Sequence, residues 1–123
     1  MVILSLKNIH YAYGSNVVLK DISYDFEEGK TYCIKGKSGA GKTTLLSLLS
    51  ALAPCDEGSI LYNGKDIKEL DQYVYRSQYI GVIFQSYNLI TKFTALENVM
   101  LSMDIANVKR TKKKLYHFYT VLD

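Results

Sequence analysis

The sequence predicts an α/β fold built around a phosphate-binding loop, and three observations carry that prediction. Residues Gly36-Lys37-Ser38-Gly39-Ala40-Gly41-Lys42-Thr43 fill the pattern G-x-x-x-x-G-K-[ST]. Thr31-Tyr32-Cys33-Ile34-Lys35 reads as a strand entering that loop, and Thr44 to Leu52 reads as a buried helix leaving it. Ahead of both, the apolar runs Val2 to Ile9 and Val17 to Phe26 flank the turn Gly14-Ser15-Asn16 and predict an antiparallel hairpin.

The loop's composition points to polyphosphate. Glycines at 36, 39 and 41 let successive backbone N–H groups turn inward along a path that most side chains would obstruct, and Ser38 and Ala40 between them are expected to bind the nucleotide with the loop. Lys42 adds a point charge for the terminal phosphates. Thr43 and Thr44 open the helix, whose N-terminus offers unpaired N–H groups and the positive end of its dipole to an anion. The Thr43 hydroxyl suits Mg²⁺. A chance glycine-rich turn would lack the strand on one side and the apolar helix on the other.

Composition narrows the class further. The chain has 123 residues, 48% of them apolar and 22% charged, which suits one globular domain. Its longest nearly apolar stretch, Leu45 to Pro54, is about half of what a membrane-spanning helix needs and holds two serines. The start, Met1 to Lys7, alternates like a strand and lacks the basic and small-residue features of a secretory signal. The reading expected from these features is cytoplasmic. Cys33 and Cys55 are not in a metal or redox spacing, and Cys33 is expected to be a small core residue of its strand. His10 and His117 have no second ligand in view, so no histidine metal site is expected.

The net charge of +3 is local in origin. Lys109, Arg110, Lys112, Lys113 and Lys114 hold five of the fifteen basic residues, leaving ten against twelve acids elsewhere. A solvated helix face accounts for such a cluster, and no specific nucleic-acid partner is expected.

Several further elements follow in order. Glu27-Glu28-Gly29-Lys30 is a turn into the loop strand. Pro54 to Gly58 breaks the chain, and Ser59-Ile60-Leu61-Tyr62 is a short strand closed by the tight-turn pair Asn63-Gly64. Lys65 to Arg76 is polar and helical from about Ile67, and Tyr79 to Phe84 reads as a buried strand ending on Gln85. Thr94-Ala95-Leu96-Glu97 matches a capping box, after which Leu96, Val99, Met100 and Met103 share a helical face. A last helix is expected over Val108 to Leu122.

These residues together resemble the nucleotide-binding domain of ATP-binding cassette (ABC) proteins. The resemblance runs through Leu6-Lys7-Asn8-Ile9, Leu19-Lys20-Asp21-Ile22-Ser23, the phosphate loop and Gly58-Ser59-Ile60. Its most specific part is Ile80-Gly81-Val82-Ile83-Phe84-Gln85, with Asn88-Leu89-Ile90 and Thr94 to Val99 behind it, in the manner of lipoprotein-release, macrolide and antimicrobial-peptide transporters. It implies a phosphate-loop ATPase fold with an antiparallel β subdomain beside a parallel core sheet and helices. It also implies ATP and Mg²⁺ as cofactors.

The same resemblance assigns roles. Tyr13 matches the aromatic residue that stacks on adenine, with Tyr11 as the alternative. Gln85 matches the glutamine that helps coordinate Mg²⁺ and the attacking water, so it is the candidate catalytic residue and a second metal-side residue beside Thr43. Ser86 to Met103 would face the coupling helix of a transmembrane permease subunit, with Tyr87, Lys92 and Phe93 as contact candidates. A second nucleotide-binding subunit would complete a dimer on the inner face of the membrane.

Departures from the pattern matter. Ala51 stands where a glycine is usual after the first helix, and Thr43 replaces a serine while keeping its hydroxyl. No LSGGQ signature, second acidic strand or switch histidine occurs, so residues 1–123 are expected to be a partial ABC ATP-binding domain with an incomplete core sheet. Its two core strands would then face a gap. The carboxylates that family hydrolysis needs are missing, so ATPase activity of this chain stays open. The expected function is the ATP-binding portion of an ABC transporter. A non-hydrolysing nucleotide-binding or interaction module and a cassette ATPase acting on DNA are the alternatives. A GTPase is disfavoured, because Asn63-Gly64-Lys65-Asp66 has the wrong order for guanine recognition and falls in a hairpin turn.

Overall fold

In the computed structural model, residues 1–109 are described, and the chain divides into two units, Met1–Gly81 and Val82–Asp123. The first is organised by a four-stranded antiparallel sheet in the order β2-β1-β3-β4. Strands β1 (Val2–Tyr13) and β2 (Asn16–Glu27) form the expected hairpin, but both arms run longer than their apolar runs suggested. The pairing continues out to Tyr13 opposite Asn16, so the hairpin carries two tyrosines to its tip.

That long hairpin is bent by irregular pairing. Asn8 and Asp21 both take left-handed backbone conformations, with φ of 49° and 50°, and the Asn8 side-chain amide donates to Asp21 Oδ1 at 2.9 Å. Short polar side chains that bond locally tolerate this conformation best. Nearer the tip, Tyr11 pairs with Leu19 and Ala12 with Val17, which leaves Val18 as an extra residue on β2.

Strand β3 (Glu57–Tyr62) pairs with β1, and the Asn63-Gly64 turn reverses it into the two-residue β4 (Lys65–Asp66). Both turn residues have positive φ, 47° and 80°, as a tight hairpin turn of this kind requires. Gly58 has a second reason to be glycine. Its φ is +88°, and a Cβ there would lie 2.5 Å from Asn8 O and 2.6 Å from Lys7 O, so the irregular stretch of β1 fits only against bare backbone.

Helix α1 (Lys42–Leu49) adds Leu48 and Leu49 to a core that contains Leu6, Ile9 and Leu19 of the hairpin, Ile60 of β3, and Cys55, Ile67 and Tyr75. The helix is shorter than the expected Thr44 to Leu52. It ends in a hydrogen-bonded wrap, with Leu52 N donating to Ser47 O at 2.9 Å and Ala51 N to Leu48 O at 3.1 Å. Ala51 sits in the left-handed position of that wrap with φ of 55°. The glycine that the resemblance led us to expect at this point thus has a backbone reason.

The polar stretch after β4 holds a single 3₁₀ turn (Ile67–Glu69), the short α2 (Gln72–Val74) capped by Asp71, and a π-helical turn (Tyr75–Tyr79). Tyr75 is fully buried. Its hydroxyl donates to Leu49 O at 2.7 Å and so occupies a carbonyl at the open end of α1.

Three expectations fail here. Thr31 to Lys35 is not a strand, and neither is Tyr79 to Phe84: Tyr79 ends the π turn and the rest is irregular. A strand requires a neighbour for its N–H and C=O groups, and among the described residues no strand runs beside either segment. No parallel ladder forms among them, in keeping with the gap that a partial core sheet implies. Cys33 is consequently exposed rather than a core residue, whereas Cys55 is buried.

In the second unit, α3 (Ala95–Ile105) starts with the anticipated capping box. Glu97 N donates to Thr94 Oγ1 at 3.2 Å, and Thr94 N donates to Glu97 Oε2 at 2.8 Å. Met103 is buried, with Leu96, Val99 and Met100 half-buried on the same face. Asn98 fastens the preceding loop, accepting from Ile90 N at 2.9 Å. Val108 and Lys109, the first two residues of the expected helix Val108 to Leu122, are not helical, and the rest of that helix and the basic cluster beyond Lys109 lie outside the described residues. Among the described residues, no helix is long and apolar enough to cross a membrane.

Candidate functional site

Although Thr31 to Lys35 has no ladder, side chains anchor the approach to the phosphate loop. Tyr32 packs edge-on against Tyr24 and Phe26, with ring centroids 5.8 and 5.0 Å apart, and its hydroxyl accepts from Glu27 N at 2.8 Å. An aromatic clasp therefore ties the incoming chain to β2.

At the far end of the loop, Gly41 caps α1 with φ of +91° and offers no side chain to its N–H groups. A Cβ on Gly41 would lie 2.7 Å from Val18 Cγ1 and 2.9 Å from Leu19 Cδ2. The loop thus reaches the helix by passing directly under the bulge of β2. The first turn of α1 contains no acidic residue, so its unpaired N–H groups and dipole end have no internal counter-charge.

Lys42 folds back across the loop. Its ammonium donates to Gly36 O at 2.6 Å and to Lys37 O at 2.7 Å, which holds the start and end of the motif together. Ala40 N donates to Lys37 O at 3.1 Å, making a tight turn inside it. Gly36 leaves little room there: a Cβ would stand 3.1 Å from that of Ala40.

One cavity of about 360 Å³ gathers these parts. It is lined by Tyr13 and Val18 of the hairpin and by Ser38, Gly39, Gly41, Lys42, Thr43 and Thr44. Thr43 is exposed and Thr44 buried. The Tyr13 hydroxyl lies 3.4 Å from Thr44 Oγ1. An aromatic ring, a cation, small loop residues and an uncapped helix start thus face one volume, a donor set suited to an anion carrying a flat group.

Six of the eight predicted loop residues line this cavity, together with Tyr13. Gly36 and Ala40 shape the loop behind it. Tyr11, the other stacking candidate, does not line it. Gln85 belongs to the second unit, where it is exposed at a bend. Sequence reasoning missed Val18, because an apolar residue in a strand gives no sign that a bulge will turn it toward a glycine.

The profile of the family described as ABC transporter matches residues 19–122, and the chain belongs to that family. It is 41% identical over 118 residues to the uncharacterized ABC transporter ATP-binding protein YclH of Bacillus subtilis, covering 94% of this chain and 52% of that protein. It is 39% identical over 123 residues to the lipoprotein-releasing system ATP-binding protein LolD of Bacteroides fragilis, covering 98% of this chain and 56% of that one. Among solved structures, the dimeric, post-hydrolysis cassette MJ0796 bound to ADP and Pi matches with a TM-score of 0.76 at 31% identity, over 91% of this chain and 52% of that one. The chain thus shares the fold of part of an ABC cassette, and it spans about half the length of the curated relatives it matches.

Proposed function

We propose that this chain binds Mg-ATP as part of an ABC transporter and contributes that binding to transport across a membrane. The observation that carries this reading is the single cavity shared by Tyr13 and the phosphate loop. The triphosphate would lie on the loop, with the ammonium of Lys42 moving from the Gly36 and Lys37 carbonyls to phosphate oxygens, which are stronger, charged acceptors. Adenine would cover the Tyr13 ring. Mg²⁺, which neutralises phosphate charge, would be held on the loop side by the Thr43 hydroxyl; a metal and water role for Gln85 rests on the family resemblance alone.

The assembly follows from the same reading. A transmembrane permease subunit would meet the segment 86–103, where Tyr87 and Phe93 are exposed, and a second nucleotide-binding subunit would face the loop, as the dimeric form of MJ0796 suggests. The site would then lie on the cytoplasmic face of the membrane. Hydrolysis would also need acidic groups outside the motifs identified here.

The test is calorimetric titration with Mg-ATP, with phosphate release measured in parallel. The reading requires saturable binding that Lys42→Ala abolishes. Binding without phosphate release supports a nucleotide-holding module over a hydrolysing one. Equal binding by parent and Lys42→Ala overturns the site.

A further inference from the structure

We infer that Tyr11 is a positioning residue for nucleotide, acting as the buttress that holds the Tyr13 ring in place for the base. This rests on the reading of the cavity as an ATP site. The two side chains lie two positions apart on β1, where the pleat brings them to the same side of the strand. Their rings meet edge-on, with centroids 5.1 Å apart and planes at 80°. Such a contact fixes orientation as well as distance.

The two tyrosines differ in how they are held. Tyr13 is at the hairpin tip and 58% exposed, so by itself its ring would pay rotamer entropy to meet a base. Tyr11 is half-buried, packs against the hydrophobic core and pairs across the hairpin with buried Leu19. It therefore links the exposed ring to the rigid part of the sheet. Burial and then the neighbouring Tyr13 push the Tyr11 phenol up from its ordinary range, in keeping with two phenols held close. The hydroxyl of Thr44 supplies the second fixed point, at 3.4 Å from that of Tyr13. A ring held at two points, with more than half of it exposed, is pre-organised to stack, which lowers the entropic cost of binding.

Tyr11 is outside the cavity that holds the loop, so its effect must pass through Tyr13 and be confined to the base. Tripolyphosphate separates base from phosphate. We expect Tyr11→Leu, which keeps apolar bulk against the core but removes the ring edge, to weaken ATP binding about fivefold, the scale of one aromatic pair. Tripolyphosphate binding should stay unchanged. Tyr11→Phe should keep ATP affinity within about twofold of the parent, since the edge contact survives. In a Tyr13→Ala background, Tyr11→Leu should have no further effect on ATP. Unchanged ATP affinity in Tyr11→Leu, an equal loss for both ligands, or additive losses in the double variant would each overturn the inference while leaving the ATP site standing. A parent chain that binds neither ligand overturns the site and the inference together.

Discussion

The hydroxyls of Tyr13 and Thr44 lie 3.4 Å apart although 31 positions separate the residues in the chain. They join the tip of a β-hairpin to the first turn of the helix that follows the phosphate loop. This pairing brings two sequence motifs to one cavity. On the proposed reading, a ring at the tip and donors at the helix start reach the same ligand.

Removal of the ring should be selective. Tyr13→Ala is expected to weaken ATP by about 1 to 3 kcal/mol, the usual worth of base stacking on an aromatic side chain. Tyr13→Trp should retain binding, because any broad flat ring suffices. Competition titration against tripolyphosphate checks this, and equal losses for both ligands would show that the ring does not meet the base.

Gly41→Ala should damage the loop and the fold together. The added Cβ would stand 2.7 Å from Val18 Cγ1 at a backbone φ of +91°, so both strain and collision oppose it. A loss of about 1 to 3 kcal/mol is expected from the conformation alone. Thermal unfolding measures the first effect, and calorimetry with ATP measures the second. An unchanged melting temperature would contradict the close passage under β2.

Ala51→Gly should stabilise the chain. Ala51 has φ of 55° at the left-handed position that ends α1, and removing Cβ there relieves roughly 1 kcal/mol of strain. Denaturant unfolding should show a higher midpoint with an unchanged slope. A lower midpoint would mean that the packing of the Ala51 methyl outweighs its conformation.

Tyr75 should impose a limit at alkaline pH. Burial, and then Tyr62, push its phenol from the ordinary 10 up to about 12. The folded state therefore holds that proton more tightly than the unfolded state. The contribution is intact below pH 10 and is lost as pH rises through about 12. Tyr75→Phe should remove part of this alkaline dependence. At neutral pH it should cost about 1 to 3 kcal/mol by leaving the Leu49 carbonyl without its donor. Circular dichroism across pH 8 to 12 in both proteins checks the sign, and identical alkaline profiles would contradict it.

What the sequence made legible was local. The phosphate loop, the Asn63-Gly64 turn and the Thr94-Glu97 capping box each depend on residues within a few positions of one another, so their chemistry is written in order. The paired left-handed residues Asn8 and Asp21 were not legible, because cross-strand pairing creates their conformation. Tyr75 lay in a stretch read as polar, and only the fold brings it beneath α1. Thr31 to Lys35 and Tyr79 to Phe84 have the composition of strands, but composition cannot supply a neighbour. At the site, the motif gave the loop directly. The resemblance put Tyr13 ahead of Tyr11 at the sequence level, and the geometry adds that Tyr13, not Tyr11, lines the loop cavity.

The most direct measurement is an NMR titration of the chain with Mg-ATP, following the backbone amides of residues 36–44 and the ring of Tyr13. Saturable shifts concentrated on those groups, and absent in Lys42→Ala, are the predicted result. Undisturbed loop amides at saturating ligand, or shifts that persist unchanged without the Lys42 ammonium, would contradict the account.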